Sequence, residues 1–464
     1  MITRRNFIET GTALLAGAAL RPRLAFAAAE AANPKLVLPT PAQIVWQDCE
    51  IGLLYSYDIA VAAGIPKQHR AHKNTLDPNL YQPSKLDTEQ WMEAAKACGA
   101  RYALFVASHV SGFMQWQSDA YPYGLKQTSW RDGKADVVGD FVASCRKAGI
   151  KPGIFFSDHS NAYNHVAGNV VKVGGGRGTP AQEKFNRIAE KQMEELCSRY
   201  GPLIEFWFDR RTTTPEEGGP NMLPIFEKHQ PDAVFYSSAQ RSDHRWIGNE
   251  NGYAGNPCWA TMPGTAGHKT HHGKGGLSKG VLSKGDPDGG LWMPAMADVA
   301  LRNKWYSVGN HGPKPVDHLV QTYLNSVGRN CNLVIGVGIT PEGLVPESDI
   351  KRLAEFGREI QQRWGKPVAE TTGTGKTVEL KLPAATRIAN VIIMEDIAHG
   401  ERIQNYTLAG QLADGQWQEL RRGQSVGHKR IEQFPGIEVT AVRLQVDKSK
   451  AEPRVRKLAA YVGW

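Results

Sequence analysis

The stretch Gly201-Pro202-Leu203-Ile204-Glu205-Phe206-Trp207-Phe208-Asp209 constrains the fold more than any other part of the chain. It reads as one β-strand that ends in an acid. Strand side chains alternate between faces, so Ile204, Phe206 and Phe208 share one side while Glu205, Trp207 and Asp209 share the other. An apolar outer face to pack against helices, with carboxylates and an indole inside, suits a barrel strand. The C-terminal ends of barrel strands are where such folds carry their reactive groups. Position alone leaves a second reading equally open, an acid that caps the following loop.

The flanking sequence repeats the pattern. Strand-length apolar runs occupy residues 50–57, 101–109, 150–157 and 233–239, with a further inner strand at 332–339. Helical periodicity marks 89–98, 136–148, 183–200, 316–326 and 347–364. Asp87 is a cap for the first of these helices, and Gly99 and Gly149 are stops. Alternating strands and helices, with strands ending at His109, Ser157-Asp158 and Asp209, predict an α/β fold. The expected form is a (β/α)8 TIM-like barrel over residues 36–365, with its polar groups at one end. A doubly wound sheet would alternate likewise, but it more often shows an early glycine-rich phosphate turn, which this chain lacks. Beyond residue 365 come short alternating runs at 376–382, 388–395, 404–412, 416–420 and 441–446. No long helix separates them, which predicts a C-terminal all-β sandwich domain over 371–464.

The N-terminus reads as a targeting segment. Arg4-Arg5 precede Asn6-Phe7-Ile8, a weakly apolar run covers 11–20, and Ala25-Phe26-Ala27 offers a small-residue cleavage site. Paired arginines there predict a twin-arginine signal peptide over residues 1–27, and hence a periplasmic or secreted protein. Its removal takes away four arginines and Glu9, lowering the formal charge from +9 to about +6. That mild excess is far from the footprint of a nucleic-acid binder. No apolar run has the length of a membrane span. The six cysteines contain no CxxC pair, which argues against a metal site, and Cys98, Cys145 and Cys197 fall in helices as small hydrophobes. One biased segment, 264–284, holds His268, His271 and His272 with Lys269, Lys274, Lys279 and Lys284 among glycines. Glycine flanks do not preorganise metal ligands, so a mobile solvated loop is expected.

Several segments follow one another in an order that resembles a known family. They include Pro78-Asn79-Leu80-Tyr81 through Lys85-Leu86-Asp87-Thr88-Glu89-Gln90-Trp91, and Ser108-His109 with Gly112-Phe113 and Trp116. Trp207-Phe208-Asp209, Arg245-Trp246-Ile247-Gly248-Asn249-Glu250 and Ser326-Val327-Gly328-Arg329-Asn330 come later. From about residue 41 to 363 the chain resembles the glycoside hydrolase family 29 α-L-fucosidases, and the all-β region resembles the domain often attached to them. The resemblance implies a retaining exo-glycosidase acting on fucose-containing oligo- or polysaccharides, with no metal or organic cofactor. It implies that Asp209 is the nucleophile, Glu250 the general acid/base and Trp207 a sugar-pocket residue. A retaining glycosidase forms a glycosyl-enzyme on one carboxylate, while the second protonates the leaving oxygen and then activates water. The environments of the two acids are therefore expected to differ.

Four positions depart from the family. Ser56 and Val110 stand where it has histidines that contact fucose hydroxyls, Arg210 replaces the glycine after the nucleophile, and Met296 replaces a glutamate. Two alternatives follow: a glycosidase of shifted specificity, such as for an α-L-galactoside or a sulfated fucoside, and a catalytically inactive glycan-binding relative. His109 either binds the sugar or caps its strand; Trp116 and Trp246 either stack on sugar or pack in the core. Arg210 either meets an anionic substituent or points into solvent. Glu205 is expected as a paired interior acid rather than a second pocket acid. The sandwich either binds carbohydrate or braces the barrel.

Overall fold

Eight parallel strands make the central sheet of the computed structural model, which describes residues 36–65, 75–264, 277–306 and 311–463. In chain order they are β1 (Ile51–Ser56), β2 (Tyr102–Ser108), β3 (Lys151–Phe156), β4 (Glu205–Phe208), β5 (Val234–Tyr236), β6 (Arg245–Trp246), β7 (Ala295–Ala300) and β8 (Cys331–Gly338). Their hydrogen-bonded order is β5-β4-β3-β2-β1-β8-β7-β6. The sheet is a nearly closed barrel whose seam lies between β5 and β6. Across that seam Asp243 N–H donates to the carbonyl of Phe235 at 2.9 Å, and the Asp243 carboxylate accepts from Phe235 N–H at 2.8 Å. The strands are buried almost throughout, as parallel strands covered on both faces require.

Beside a single turn at Ile59–Ala62, the helices among the described residues are α1 (Pro41–Cys49) ahead of the barrel, then α2 (Thr88–Ala97), α3 (Val137–Lys147), α4 (Pro180–Arg199), α5 (Leu223–His229), α6 (Lys279–Lys284), α7 (Val316–Asn325) and α8 (Glu347–Trp364). Side-chain caps start several of them: Asp87 accepts from Glu89 N–H at 2.9 Å, and Asp136 from Gly139 N–H at 2.8 Å. Cys98 caps the end of α2, and Cys145 and Cys197 lie in α3 and α4, all buried. Burial pushes the Cys98 thiol up to about 12. In the biased segment, α6 is a helix capped by Ser278 rather than a loop, because the Ser278 hydroxyl accepts from Val281 N–H at 3.3 Å. His268, His271, His272, Lys269 and Lys274 lie outside the described residues.

Helix α1 plugs the N-terminal mouth of the barrel. The Trp46 indole N–H donates to Glu205 Oε2 at 2.8 Å, and its ring stacks on His244 at 4.6 Å. His244 Nε2 lies 2.8 Å from Glu205 Oε1, and Asn332 Nδ2 donates to the Trp46 carbonyl at 2.7 Å. Glu205, fully buried, is thus the paired interior acid at the opposite end of β4 from Asp209.

The C-terminal domain is antiparallel throughout. Its strands are β9 (Ala369–Thr374), β10 (Thr377–Glu395), β11 (Ile403–Gln411), β12 (Trp417–Gln424), β13 (Arg430–Ser449) and β14 (Arg454–Val462), in the order β9-β14-β10-β13-β11-β12. The expected runs 376–382 and 388–395 are one strand, β10, broken by register shifts between Lys381 and Thr386 and between Ile388 and Asn390. Such bulges bend a strand. The result is one continuous sheet in which Val378 and Leu380 from one half of β10 share a core with Val391 and Ile393 from the other. Four of its residues, Ile392, Ile431, Ala459 and Tyr461, belong instead to the barrel's core. Around them Asp48, next to last in α1, meets His428 at 2.8 Å and Arg456 at 3.0 Å, while Lys429 donates to Glu50 at 2.6 Å.

Candidate active site

A cavity of about 900 Å³ opens at the C-terminal ends of the barrel strands. Ser56 ends β1, His109 directly follows β2, Asp209 directly follows β4, Tyr236 ends β5, Trp246 ends β6 and Asp298 lies in β7; all six line it. Strand β8 contributes room. A Cβ on Gly336 would meet the Trp305 ring at 2.3 Å, so the glycine lets that indole lie against the barrel end.

Asp209 continues the register of β4, its N–H donating to the Phe156 carbonyl at 2.9 Å. The Ser157 hydroxyl lies 3.3 Å from Asp209 Oδ2, and His109 Nε2 lies 3.7 Å from the same oxygen. The two side chains are 24% and 19% exposed, open enough to meet a ligand. Aromatic rings fix the surroundings: His109 packs on Tyr306 at 5.2 Å and Phe155 at 5.8 Å, and Trp207 meets Phe155 edge-on at 5.3 Å. Behind Asp209 sits Asp158, buried, with the Thr212 hydroxyl donating to it at 2.6 Å. Burial lifts the Asp158 carboxyl to about 7 against the hydrogen bond from Thr212, and the charge of Asp209 adds to the rise.

Glu250 rides on the loop after β6 and is exposed. The Trp305 indole N–H donates to its Oε2 at 3.2 Å. Gly248 and Gly252 give the loop its shape at φ 83° and 74°, and a Cβ on Gly252 would strike the Thr322 methyl at 2.5 Å. Below, the Trp246 N–H donates to Asp298 Oδ1 at 2.7 Å. Burial holds the Asp298 carboxyl up at about 7, with the Trp246 bond working the other way and the Glu250 charge adding to the rise.

The cavity therefore gathers Asp209, Glu250, His109, Trp207, Trp246 and Arg210. Trp116 is the exception among the expected site residues. It is fully buried outside the cavity lining, because its indole N–H is satisfied by Glu195 of α4 at 2.9 Å. Ser56 and Val110 line the cavity; Met296 is fully buried in β7. Sequence reasoning missed His159, Trp305 and Tyr306, single residues on loops with no periodic signal, and gave Asp298 no role. Among the described residues no cluster of three or more His, Cys, Asp or Glu side chains is arranged to hold a metal ion. Two carboxylates on one cavity, one beside a hydroxyl and an imidazole and the other under an indole N–H, form a set able to run two-step displacement at a sugar carbon.

Comparison with known proteins gives the family. Residues 72–363 match the family model described as Alpha-L-fucosidase. Alpha-L-fucosidase 1 of Arabidopsis thaliana is 27% identical over 92% of this chain and 88% of its own length. The solved structure of a candidate alpha-L-fucosidase from Bacteroides thetaiotaomicron is 39% identical, covering 93% of this chain and 100% of that one, with a TM-score of 0.87. A glycoside hydrolase 29 family member from an unknown rumen bacterium is 28% identical over 92% of this chain and 78% of its own, with a TM-score of 0.78.

Proposed function

The chain belongs to the alpha-L-fucosidase family and is a glycoside hydrolase of α-L-fucosides; we propose that it acts by retention, through the carboxylates of Asp209 and Glu250. The supporting observation is the convergence of both groups on one cavity, each beside a donor of its own. Asp209 attacks the anomeric carbon and forms an ester to it. The bond to the leaving oxygen breaks, its electron pair stays on that oxygen, and Glu250 supplies the proton. Glu250, now a carboxylate, takes a proton from water as the water oxygen displaces Asp209, releasing the sugar with its configuration retained. His109 and Trp207 border the space the sugar occupies.

The test is a pair of variants on an aryl α-L-fucoside. Asp209→Asn is expected to lose turnover by several orders of magnitude while staying folded. Glu250→Ala is expected to regain turnover with added azide, giving a fucosyl azide of retained configuration. Activity near wild type in Asp209→Asn would refute the assignment.

The substrate is a fucosylated oligo- or polysaccharide bound in an altered pocket. Ser56 and Val110 offer a short hydroxyl and an apolar group to the cavity. Weak turnover of simple aryl α-L-fucosides, improved in Val110→His, is the expected outcome. A wild type with no such weakness, merely damaged by Val110→His, would mean that other residues make those contacts.

The protein is exported by its twin-arginine segment. All six cysteines are buried free thiols, which fits a chain that folds in a reducing compartment and crosses already folded. Replacing Arg4 and Arg5 by lysine is expected to strand the precursor in the cytoplasm; unchanged export would refute that route.

A further inference from the structure

Arg210 follows Asp209 directly, is exposed, and lines the cavity. Its backbone is left-handed, at φ 63°, a conformation that costs any residue with a Cβ and that glycine would adopt freely. An arginine held there in spite of its backbone points to a use for its side chain. Among the described residues its guanidinium makes no hydrogen bond or ion pair. Its neighbour Arg211 differs: both of its terminal nitrogens bind the Glu217 carboxylate, at 2.5 and 2.9 Å. The acid nearest in sequence, Asp209, is engaged with Ser157 and His109 instead. His159 also lines the cavity, its Nδ1 held 2.9 Å from Asn169 Oδ1. The cavity therefore presents an uncompensated cation with five donors in a planar fork, a shape that matches two oxygens of one anionic group.

Building on the hydrolytic reading above, we infer that Arg210 selects glycans carrying an anionic group, a sulfate ester or a carboxylate, close to the fucosidic bond being cleaved. A charge-assisted contact from the exposed guanidinium favours such a group over a neutral hydroxyl, and its contribution weakens with salt.

The test compares kcat/KM for a plain aryl α-L-fucoside with two anionic sets: the same fucoside O-sulfated on the sugar, and one with a carboxylated aryl leaving group. Wild type and Arg210→Gly are measured at low and high salt. Glycine suits the left-handed backbone, so this variant is expected to fold. The expected result is a preference of wild type for at least one anionic set, falling about tenfold in Arg210→Gly and shrinking with salt, with Arg210→Lys intermediate. The set that responds tells whether the anion sits on the fucose or on the leaving group. If both ratios are the same in wild type and Arg210→Gly while the plain fucoside is hydrolysed, the inference fails and the hydrolytic reading stands. If no fucoside is hydrolysed, plain or anionic, both fail.

Discussion

Trp305 and Asp298 both act on Glu250, one through a hydrogen bond and the other through charge. The Trp305 N–H holds the exposed Glu250 side chain at 3.2 Å. Trp305→Phe keeps a ring against Gly336 and removes only the donor. Proton donation matters most for a poor leaving group, so kcat/KM on a fucosyl disaccharide is expected to fall about tenfold, and far less on a 4-nitrophenyl fucoside. Equal losses on both would contradict a positioning role. Asp298 carries a pH signature. Its carboxyl stands at about 7 in the folded protein against an ordinary 3.8, chiefly through burial. The folded state then holds a proton that the unfolded chain releases, so this group's stabilisation is complete below about pH 4 and is lost as pH rises to about 7. Asp298→Asn preserves an acceptor for Trp246 and abolishes the titration. Relative to wild type its stability is expected to climb between those pH values, by on the order of 1 to 4 kcal/mol, as urea unfolding at several pH values would show. A pH-independent difference would refute this. Asp209, Trp207 and His109 were legible because they end or continue hydrophobic strands. Trp305 and Tyr306 were not, since a loop aromatic looks the same whether it faces a cavity or the core, and for that same reason both readings of Trp116 stayed open.

Elements were readable where a strand or helix is long enough to impose its own period. Strands β1 to β5 and the helices α2, α3, α4, α7 and α8 all show it. Strand β6 spans two residues, Arg245–Trp246, too few for any alternation, yet it delivers Trp246 to the cavity. In the C-terminal domain the sequence pattern breaks wherever a bulge inverts the alternation, so β10 looked like two strands. Helix α1 was missed although it closes the barrel floor, for its pairing of Trp46 with Glu205 joins residues far apart in the chain. Trp46→Phe retains the stack on His244 but leaves a buried carboxylate without one donor. The expected loss is about 1 to 3 kcal/mol in denaturant unfolding, with activity per folded molecule preserved because Glu205 lies at the far end from the cavity. A selective loss of activity without loss of stability would contradict a purely structural plug.

At the scale of the molecule, four residues of the C-terminal sheet enter the barrel's core, and a charged rim formed by Asp48, Glu50, His428, Lys429 and Arg456 surrounds them. Two bodies joined in this way are expected to melt in a single calorimetric transition, and two resolved transitions would contradict that coupling. The proposed mechanism turns on one covalent step at Asp209. The most direct test is to trap it: incubate the protein with a 2-deoxy-2-fluoro-α-L-fucosyl fluoride, digest, and locate the adduct by mass spectrometry. A fluorofucosyl ester on Asp209, absent from Asp209→Asn, is the predicted result. An adduct on Asp158, Glu250 or Asp298, or steady turnover of fucosides with no trappable adduct at all, would contradict it.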